Sequence, residues 1–196
     1  MNLDLSGKRA LVCGSTQGIG KAIALELVHL GAKVTLLARN EQGLKDVLAE
    51  LPQNAGHEYL VADFSDYKNV QFKVGKYLEN NTIDILINNT GGPPAGPIVD
   101  ADATAFMAAY QSHLLCNHVL VQAVLPHMRT KQWGRIINVV STSVRQPLKG
   151  LGVSNSTRAA VAGWAKTLSF EVAKDGITVN KRLKKLGWEH PPWVLA

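Results

Sequence analysis

Residues 9–31 read RALVCGSTQGIGKAIALELVHLG: an apolar run, a glycine-rich turn and a segment with helical periodicity. The apolar side chains that follow the turn share one helical stripe, and they are Ile19, Ala22, Ile23, Leu27 and Leu30. Gly31 is typical of a residue that ends a helix. The stretch therefore predicts a strand, a tight turn and a helix in direct succession.

The same alternation continues along the whole chain. The apolar runs KVTLLA, EYLVA, DILINN and RIINVVS precede predicted helices over 41–51, 66–80, 102–130 and 155–174, and ITVN comes last. Successive apolar positions, as in VTLLA, are typical of strands covered on both faces. With right-handed crossovers, this pattern predicts an α/β protein: a Rossmann-type doubly wound parallel sheet of about six strands in three layers, in the order 3-2-1-4-5-6.

Length and composition bound the class of protein. A chain of 196 residues suffices for one well-buried domain, which we place at residues 1–180. Residues 181–196, KRLKKLGWEHPPWVLA, read as a divergent or truncated C-terminal tail, because four basic residues and one acidic residue change the composition there. This tail carries half of the net charge of +6, so the charge does not indicate nucleic-acid binding.

The remaining composition favours a cytoplasmic protein. No apolar run approaches the roughly 20 residues that span a bilayer, and the N-terminus lacks the pattern of a signal peptide, so we expect no membrane partner. Cys13 and Cys116 are isolated in the sequence and are expected to be reduced core thiols. The spacing of the cysteines and histidines fits no metal site.

The glycine-rich turn carries the first functional prediction. Gly14, Gly18 and Gly20 have the spacing G-x-x-x-G-x-G between a predicted strand and a predicted helix. This arrangement suits the pyrophosphate of a dinucleotide, which would also meet the free N–H groups at the helix N-terminus. The candidate cofactor-binding residues of the turn are Gly14, Ser15, Gln17, Gly18, Ile19 and Gly20. The alternative is a turn with a purely steric role.

The end of the second predicted strand bears on which dinucleotide binds. An NAD site often has an acidic residue there, whereas this chain has Ala38 followed by Arg39 and Asn40. A guanidinium suits a 2′-phosphate, so Arg39 and Asn40 predict NADP(H). The alternative is a solvated arginine at a strand end.

Five segments in order complete a family pattern: GSTQGIG, ADF at 62–64, NNTGG at 88–92, GRIINVVS at 134–141 and ITVN at 177–180. From Leu5 to Asn180 the sequence resembles the short-chain dehydrogenase/reductase family, and most of all its β-ketoacyl-acyl-carrier-protein reductases. The resemblance implies that Asp63 and Phe64 lie by the adenine. It also implies that Asn89, Thr90 and Gly91 border the adenosine ribose and the start of the nicotinamide half.

The resemblance also exposes an altered catalytic site. Ser141 falls at the family's catalytic serine, but Ser154 and Arg158 occupy the places of the Tyr-x-x-x-Lys pair, and His113 that of a helix-borne asparagine. A serine hydroxyl is much less acidic than a tyrosine, and arginine stays protonated at any workable pH. His113 is a candidate replacement proton donor; the alternative is that His113 and Arg158 are simply polar residues of a cleft.

Three functional hypotheses follow. The first is an NADP(H)-binding oxidoreductase that acts on a small carbonyl or alcohol substrate with a degenerate Tyr-x-x-x-Lys site. The second is an inactive cofactor-binding or partner subunit, and the third is a truncated product without function. The resemblance further implies a homo-oligomer, paired through the helices predicted at 102–130 and 155–174.

Overall fold

A computed structural model describes residues 3–184 and confirms the predicted sheet. Six parallel strands pair in the order β3-β2-β1-β4-β5-β6. The strands are β1 Arg9–Cys13, β2 Lys33–Ala38, β3 Glu58–Val61, β4 Ile85–Asn88, β5 Gly134–Ser141 and β6 Ile177–Lys184. The order reverses between β1 and β4, where ligands bind in open sheets of this kind.

Helices connect the strands and cover both faces of the sheet. They are α1 Gly18–His29, α2 Glu41–Glu50, α3 Tyr67–Leu78, α4 Ala103–Tyr110, α5 Cys116–Thr130 and α6 Gly152–Val172. Within the described residues, no helix is both long enough and apolar enough to span a membrane.

Alternate residues of β1 to β5 enter two apolar cores, one on each face, whereas Ile177 and Val179 of β6 both enter the same core. From β1, Ala10 and Val12 pack with α1 and α2, whereas Leu11 and Cys13 pack with α3 and α5. This burial on both faces explains why the strands read as continuous apolar runs. Cys13 and Cys116 are both buried free thiols, as predicted.

Two predicted boundaries were wrong. The helix predicted over 102–130 is interrupted by a π-helical turn, Gln111–Leu115, which separates α4 from α5. The last strand was expected to end at Asn180, but β6 continues to Lys184 and pairs with β5 up to Ser141. The rest of the predicted tail, from residue 185 onward, lies outside the described residues.

Three of the five residues in the helical stripe predicted after the first turn pack on the core, and Leu30 is the half-buried C-cap of α1. Ile19, Ile23 and Leu27 pack on the core, whereas Ala22 is exposed and Ala24 is fully buried in its place. Ala22 and Ala24 are two positions apart and therefore lie on opposite sides of the helix. Because an alanine side chain is small, the hydrophobic pattern does not show which of the two is buried.

Candidate active site

A cleft of about 840 Å³ opens at the carboxyl ends of β1, β2, β3 and β4. Its walls are the glycine-rich turn, the end of β2, the loop after β3, the long segment after β4 and the start of α6. Ten of the predicted cofactor residues line it: Gly14, Gln17, Gly18, Ile19, Arg39, Asp63, Phe64, Asn89, Thr90 and Gly91. The structure therefore brings together residues from four separate loops at the strand-order reversal.

The glycine-rich turn has the backbone geometry that an anion-binding turn needs. Gly14 and Gly18 adopt φ values of 60° and 55°, which disfavour residues with a side chain. A Cβ on Gly20 would collide with the carbonyl oxygen of Gly14, so Gly20 allows α1 to pack against the turn. Gln17, the N-cap of α1, makes no side-chain capping hydrogen bond. The first N–H groups of α1 thus remain available for a pyrophosphate.

Three residues of the predicted cofactor set do not line the cleft. Ser15 is 0% exposed and its hydroxyl is buried, because this side chain points from the turn into the protein. Asn40 is the N-cap of α2, where its Oδ1 accepts a hydrogen bond from the Gly43 N–H at 3.1 Å. Gly20 acts through packing alone, as described above. Asn40 therefore caps α2, and the Ser15 side chain lies away from the cleft.

Asn89 connects the loop after β4 to the glycine-rich turn. Its Nδ2 donates to the carbonyl oxygens of Cys13 at 3.2 Å and Gly14 at 3.3 Å. A Cβ on Gly14 would lie 2.7 Å from the Asn89 carbonyl oxygen, so the two segments touch without any side chain between them. This contact fixes the floor of the cleft at the switch point.

The loop after β3 is held by hydrogen bonds from the π-helical turn and from the first residue of α5. Asp63 Oδ1 accepts a hydrogen bond from the Ser65 N–H at 2.9 Å, and the Cys116 thiol donates to the Phe64 carbonyl at 3.3 Å. The side-chain amide of Gln111 donates to the Ser65 carbonyl. Burial raises the pKa of the Cys116 thiol to about 12, so Cys116 is a neutral packing group.

His113 lies in the π-helical turn and lines the cleft while being only 2% exposed. It makes no hydrogen bond with any described residue, and its Nδ1 is fully buried. Burial, together with the positive charge of Arg158, lowers the pKa of His113 to about 3. The imidazole is therefore neutral at pH 7 and does not hold the proton that a general acid would deliver.

Arg158 is 9% exposed and its guanidinium faces the protein backbone. Nη1 donates to the Val139 carbonyl at 2.7 Å, and Nη2 donates to the Thr90 carbonyl at 3.4 Å. Burial lowers its pKa to about 10, so it stays charged at pH 7. Among the ion pairs of residues 3–184, none includes Arg158.

The sequence analysis missed a large part of the cleft wall. Thr16 lines the cleft from within the glycine-rich turn, and Val153 lines it from the first turn of α6. The segment after β4 adds a proline-rich wall that is pinned to the start of α6, since the Gly96 N–H donates to the Gly150 carbonyl at 2.7 Å. The run GGPPAGP at 91–97 was the available signal, because glycines and prolines directly after a central strand indicate a loop with a defined backbone path.

Comparison with known proteins identifies the family. The short chain dehydrogenase family matches residues 8–182. The chain belongs to this family. It is 33% identical over 180 residues to a chloroplastic tropinone reductase homolog of Arabidopsis thaliana, covering 90% of this chain but only 56% of that protein. It is 35% identical over 178 residues to a 3-oxoacyl-[acyl-carrier-protein] reductase of Haemophilus influenzae, covering 90% of this chain and 72% of that protein.

A solved member of the short-chain dehydrogenase family has the same fold. The L-sorbose reductase of Gluconobacter frateurii, in complex with NADPH and L-sorbose, superposes with a TM-score of 0.86 at 32% identity, covering 92% of this chain and 70% of that chain.

Three of the four positions that carry catalytic groups in the short-chain dehydrogenase pattern lie outside the cleft wall, and they are Arg158, Ser141 and Ser154. Ser141 ends β5, where its hydroxyl accepts a hydrogen bond from the Ser143 N–H at 3.1 Å and caps a short 3₁₀ turn. Ser154 lies half-buried in the first turn of α6. The last tyrosine of the sequence is Tyr110, so no tyrosine from α6 can replace Ser154.

Proposed function

We propose that this chain is an NADP(H)-binding short-chain dehydrogenase/reductase for carbonyl or alcohol substrates, with an intact cofactor half and a degenerate proton-transfer site. The observation that carries the proposal is the cleft itself. Its glycine turn and α1 N-terminus fit a dinucleotide, whereas the places of tyrosine and lysine hold Ser154 and Arg158.

Each part of the cleft has a distinct role in this proposal. The bound nicotinamide would supply or accept the hydride. The N–H groups at the start of α1 bind the pyrophosphate, Asp63 and Phe64 border the adenine, and Arg39 binds the 2′-phosphate. The L-sorbose reductase with NADPH supports the choice of NADP(H).

Arg39 is exposed, lines the cleft and follows β2 directly, so it gives the first test. We expect NADPH to bind more tightly than NADH, and Arg39→Ala to lower NADPH affinity by roughly tenfold or more with little change for NADH, because charge-assisted hydrogen bonds are strong. Calorimetric titration measures both. Arg129→Ala is the matched control, since that exposed guanidinium lies 2.9 Å from Asp175, outside the cleft lining. Equal affinity of the unmodified protein for both cofactors would contradict the NADP(H) assignment.

The residues at the proton-transfer positions support the proposal that turnover is slow. A bound substrate carbonyl needs a proton as hydride arrives, and neither Ser154 nor neutral His113 provides a good acid at pH 7. Arg158 donates to backbone carbonyls and cannot relay a proton readily. The second candidate, an inactive cofactor-binding or partner subunit, is favoured by this same loss. We also propose a cytoplasmic location, which the two buried free thiols support.

We also propose a homo-oligomer that pairs through α6. Among the small residues of this helix, Ala162 is 5% exposed and faces the core. Ala159, Gly163 and Phe170 lie on the outer face of the helix, and Phe170 is 69% exposed. Large exposed apolar side chains beside small ones favour close helix pairing.

Light scattering at micromolar concentration tests this pairing. We expect a mass above that of one chain, and we expect Gly163→Glu to reduce it to the monomer, because a charged side chain would separate helices that touch at glycine. Gly75→Glu on α3 is the control, since Gly75 is likewise exposed with open space at its Cβ position. A monomeric unmodified protein would refute the proposal.

A further inference from the structure

Arg158 occupies the place of a catalytic lysine, yet its contacts are with the backbone. Its two guanidinium nitrogens reach Val139, 19 residues earlier in the chain, and Thr90, 68 residues earlier. Val139 belongs to β5, and Thr90 follows β4 by two residues. One buried side chain thus joins the ends of two neighbouring strands at the edge of the cleft.

The segment that Arg158 holds has little other support. Gly91 and Gly92 follow Thr90, both are exposed, and a Cβ at either position would meet no atom within 4 Å. Packing therefore does not fix the path of this backbone. The Asn89 side chain, bonded to the glycine-rich turn, and Arg158, bonded to the Thr90 carbonyl, hold the start of this segment, and the Gly96 N–H, bonded to the Gly150 carbonyl, holds the chain beyond it.

The two anchors lie toward different halves of the cleft. Asn89 joins the segment to Cys13 and Gly14, beside the α1 N-terminus where the pyrophosphate would lie. Arg158 joins it to β5, whose last residue is Ser141. Removing Arg158 should consequently disturb the side of the cleft near β5 more than the adenosine side, where Asn89 remains bonded to the glycine-rich turn.

We propose that Arg158 is a positioning residue, a clamp that fixes the Thr90–Gly92 backbone to the end of β5 and so shapes the nicotinamide side of the cleft. A planar guanidinium can donate to two separate carbonyl groups at once, which the compact ammonium of lysine does less well. Buried backbone carbonyls offset the loss of water around the cation through charge-assisted hydrogen bonds. Only the ligand test of this clamp depends on the proposed cofactor-binding function.

A ligand pair separates the two halves of the cleft. 2′,5′-ADP carries only the adenosine half, whereas NADPH carries both halves. We expect Arg158→Met to weaken NADPH binding by about tenfold or more and 2′,5′-ADP binding by less than about twofold, with Arg158→Lys intermediate for NADPH. Calorimetric titration of both ligands gives these ratios. An equal loss for both ligands, or no loss for NADPH, would overturn the clamp.

Arg135 supplies the matched control within the same chain. Its Nη1 also donates to two backbone carbonyls, Gly134 at 2.8 Å and Gly176 at 3.2 Å, but at the amino-terminal ends of β5 and β6. Arg135→Met removes a comparable bridge at the opposite edge of the sheet. We expect it to leave the ratio of NADPH to 2′,5′-ADP affinity unchanged.

Hydrogen exchange tests the clamp without any ligand. In Arg158→Met, amides in the segment 89–92 should exchange about tenfold faster or more than in the unmodified protein, and those of the glycine-rich turn should not. Arg158→Lys, which retains a cation at the site, serves if the methionine variant does not fold. Unchanged exchange at 89–92 would reject the clamp. Failure of the unmodified protein to bind NADPH would instead reject the proposed function.

Discussion

Lowering the pH from 7.5 to 5 should destabilise the protein through His113, and His113→Asn should remove that part of the loss. The pKa of His113 is about 3 in the folded protein and about 6.5 in an unfolded chain. Below pH 6.5 the unfolded state binds a proton that the folded state does not, so the free energy of unfolding falls with falling pH. The loss continues until the pH reaches about 3.

The expected size follows from the linkage relation. One proton of difference changes the free energy of unfolding by about 1.4 kcal/mol per pH unit, which gives about 2 kcal/mol between pH 6.5 and pH 5. Urea unfolding at both pH values measures it for the unmodified protein and for His113→Asn. His29→Asn is the control, because His29 is exposed on α1. If the unmodified protein and His113→Asn lose equal stability, His113 is not held neutral in the folded protein.

Most of the fold could be predicted from local patterns. The strand order followed from the alternation of apolar runs with helical segments, because handedness and connection rules leave few topologies for such a chain. The break at Gln111–Leu115 could not be predicted, since a π-helical turn adds no residue type that distinguishes it from an α-helix. β6 passes Asn180 into a basic stretch because its backbone pairs with β5, and this pairing does not depend on apolar side chains.

The part of the candidate site that could be predicted from residue spacing is the part in which the backbone conformation requires glycine. The glycine turn was found because its spacing between a strand and a helix requires glycine, whereas Asn89 and Asp63 were found through the family resemblance. The direction of a side chain was harder to predict, and Ser15 turns inward although its neighbours face the cleft. The two bonds of Arg158 join positions 19 and 68 residues away, so only the folded chain brings these groups together.

The largest expected effect is a separation of cofactor binding from chemistry. NADPH should raise the melting temperature, because a ligand that binds only the folded state stabilises it in proportion to the logarithm of its concentration over Kd. Carbonyl reduction should nevertheless be slow. General acid catalysis contributes typically 10²- to 10⁴-fold, and the residue that would provide it is Ser154 in place of tyrosine.

Restoring the family pattern tests the cause of the slow turnover. The triple variant Ser154→Tyr, Arg158→Lys and His113→Asn places the three expected groups on α6 and the π-helical turn. At saturating NADPH we expect its kcat to exceed that of the unmodified protein by up to about 10²- to 10⁴-fold on a panel of ketoses and β-keto esters. Saturation matters because Arg158→Lys also weakens the clamp on Thr90.

The single variants locate the missing step. Ser154→Tyr alone should gain less than the triple variant, because Arg158 donates to the Val139 and Thr90 carbonyls and cannot relay a proton to the tyrosine as lysine does. Rapid NADPH-dependent reduction by the unmodified protein would show that the altered site works as it is. If that activity then disappeared in His113→Asn, the neutral imidazole would be the proton donor.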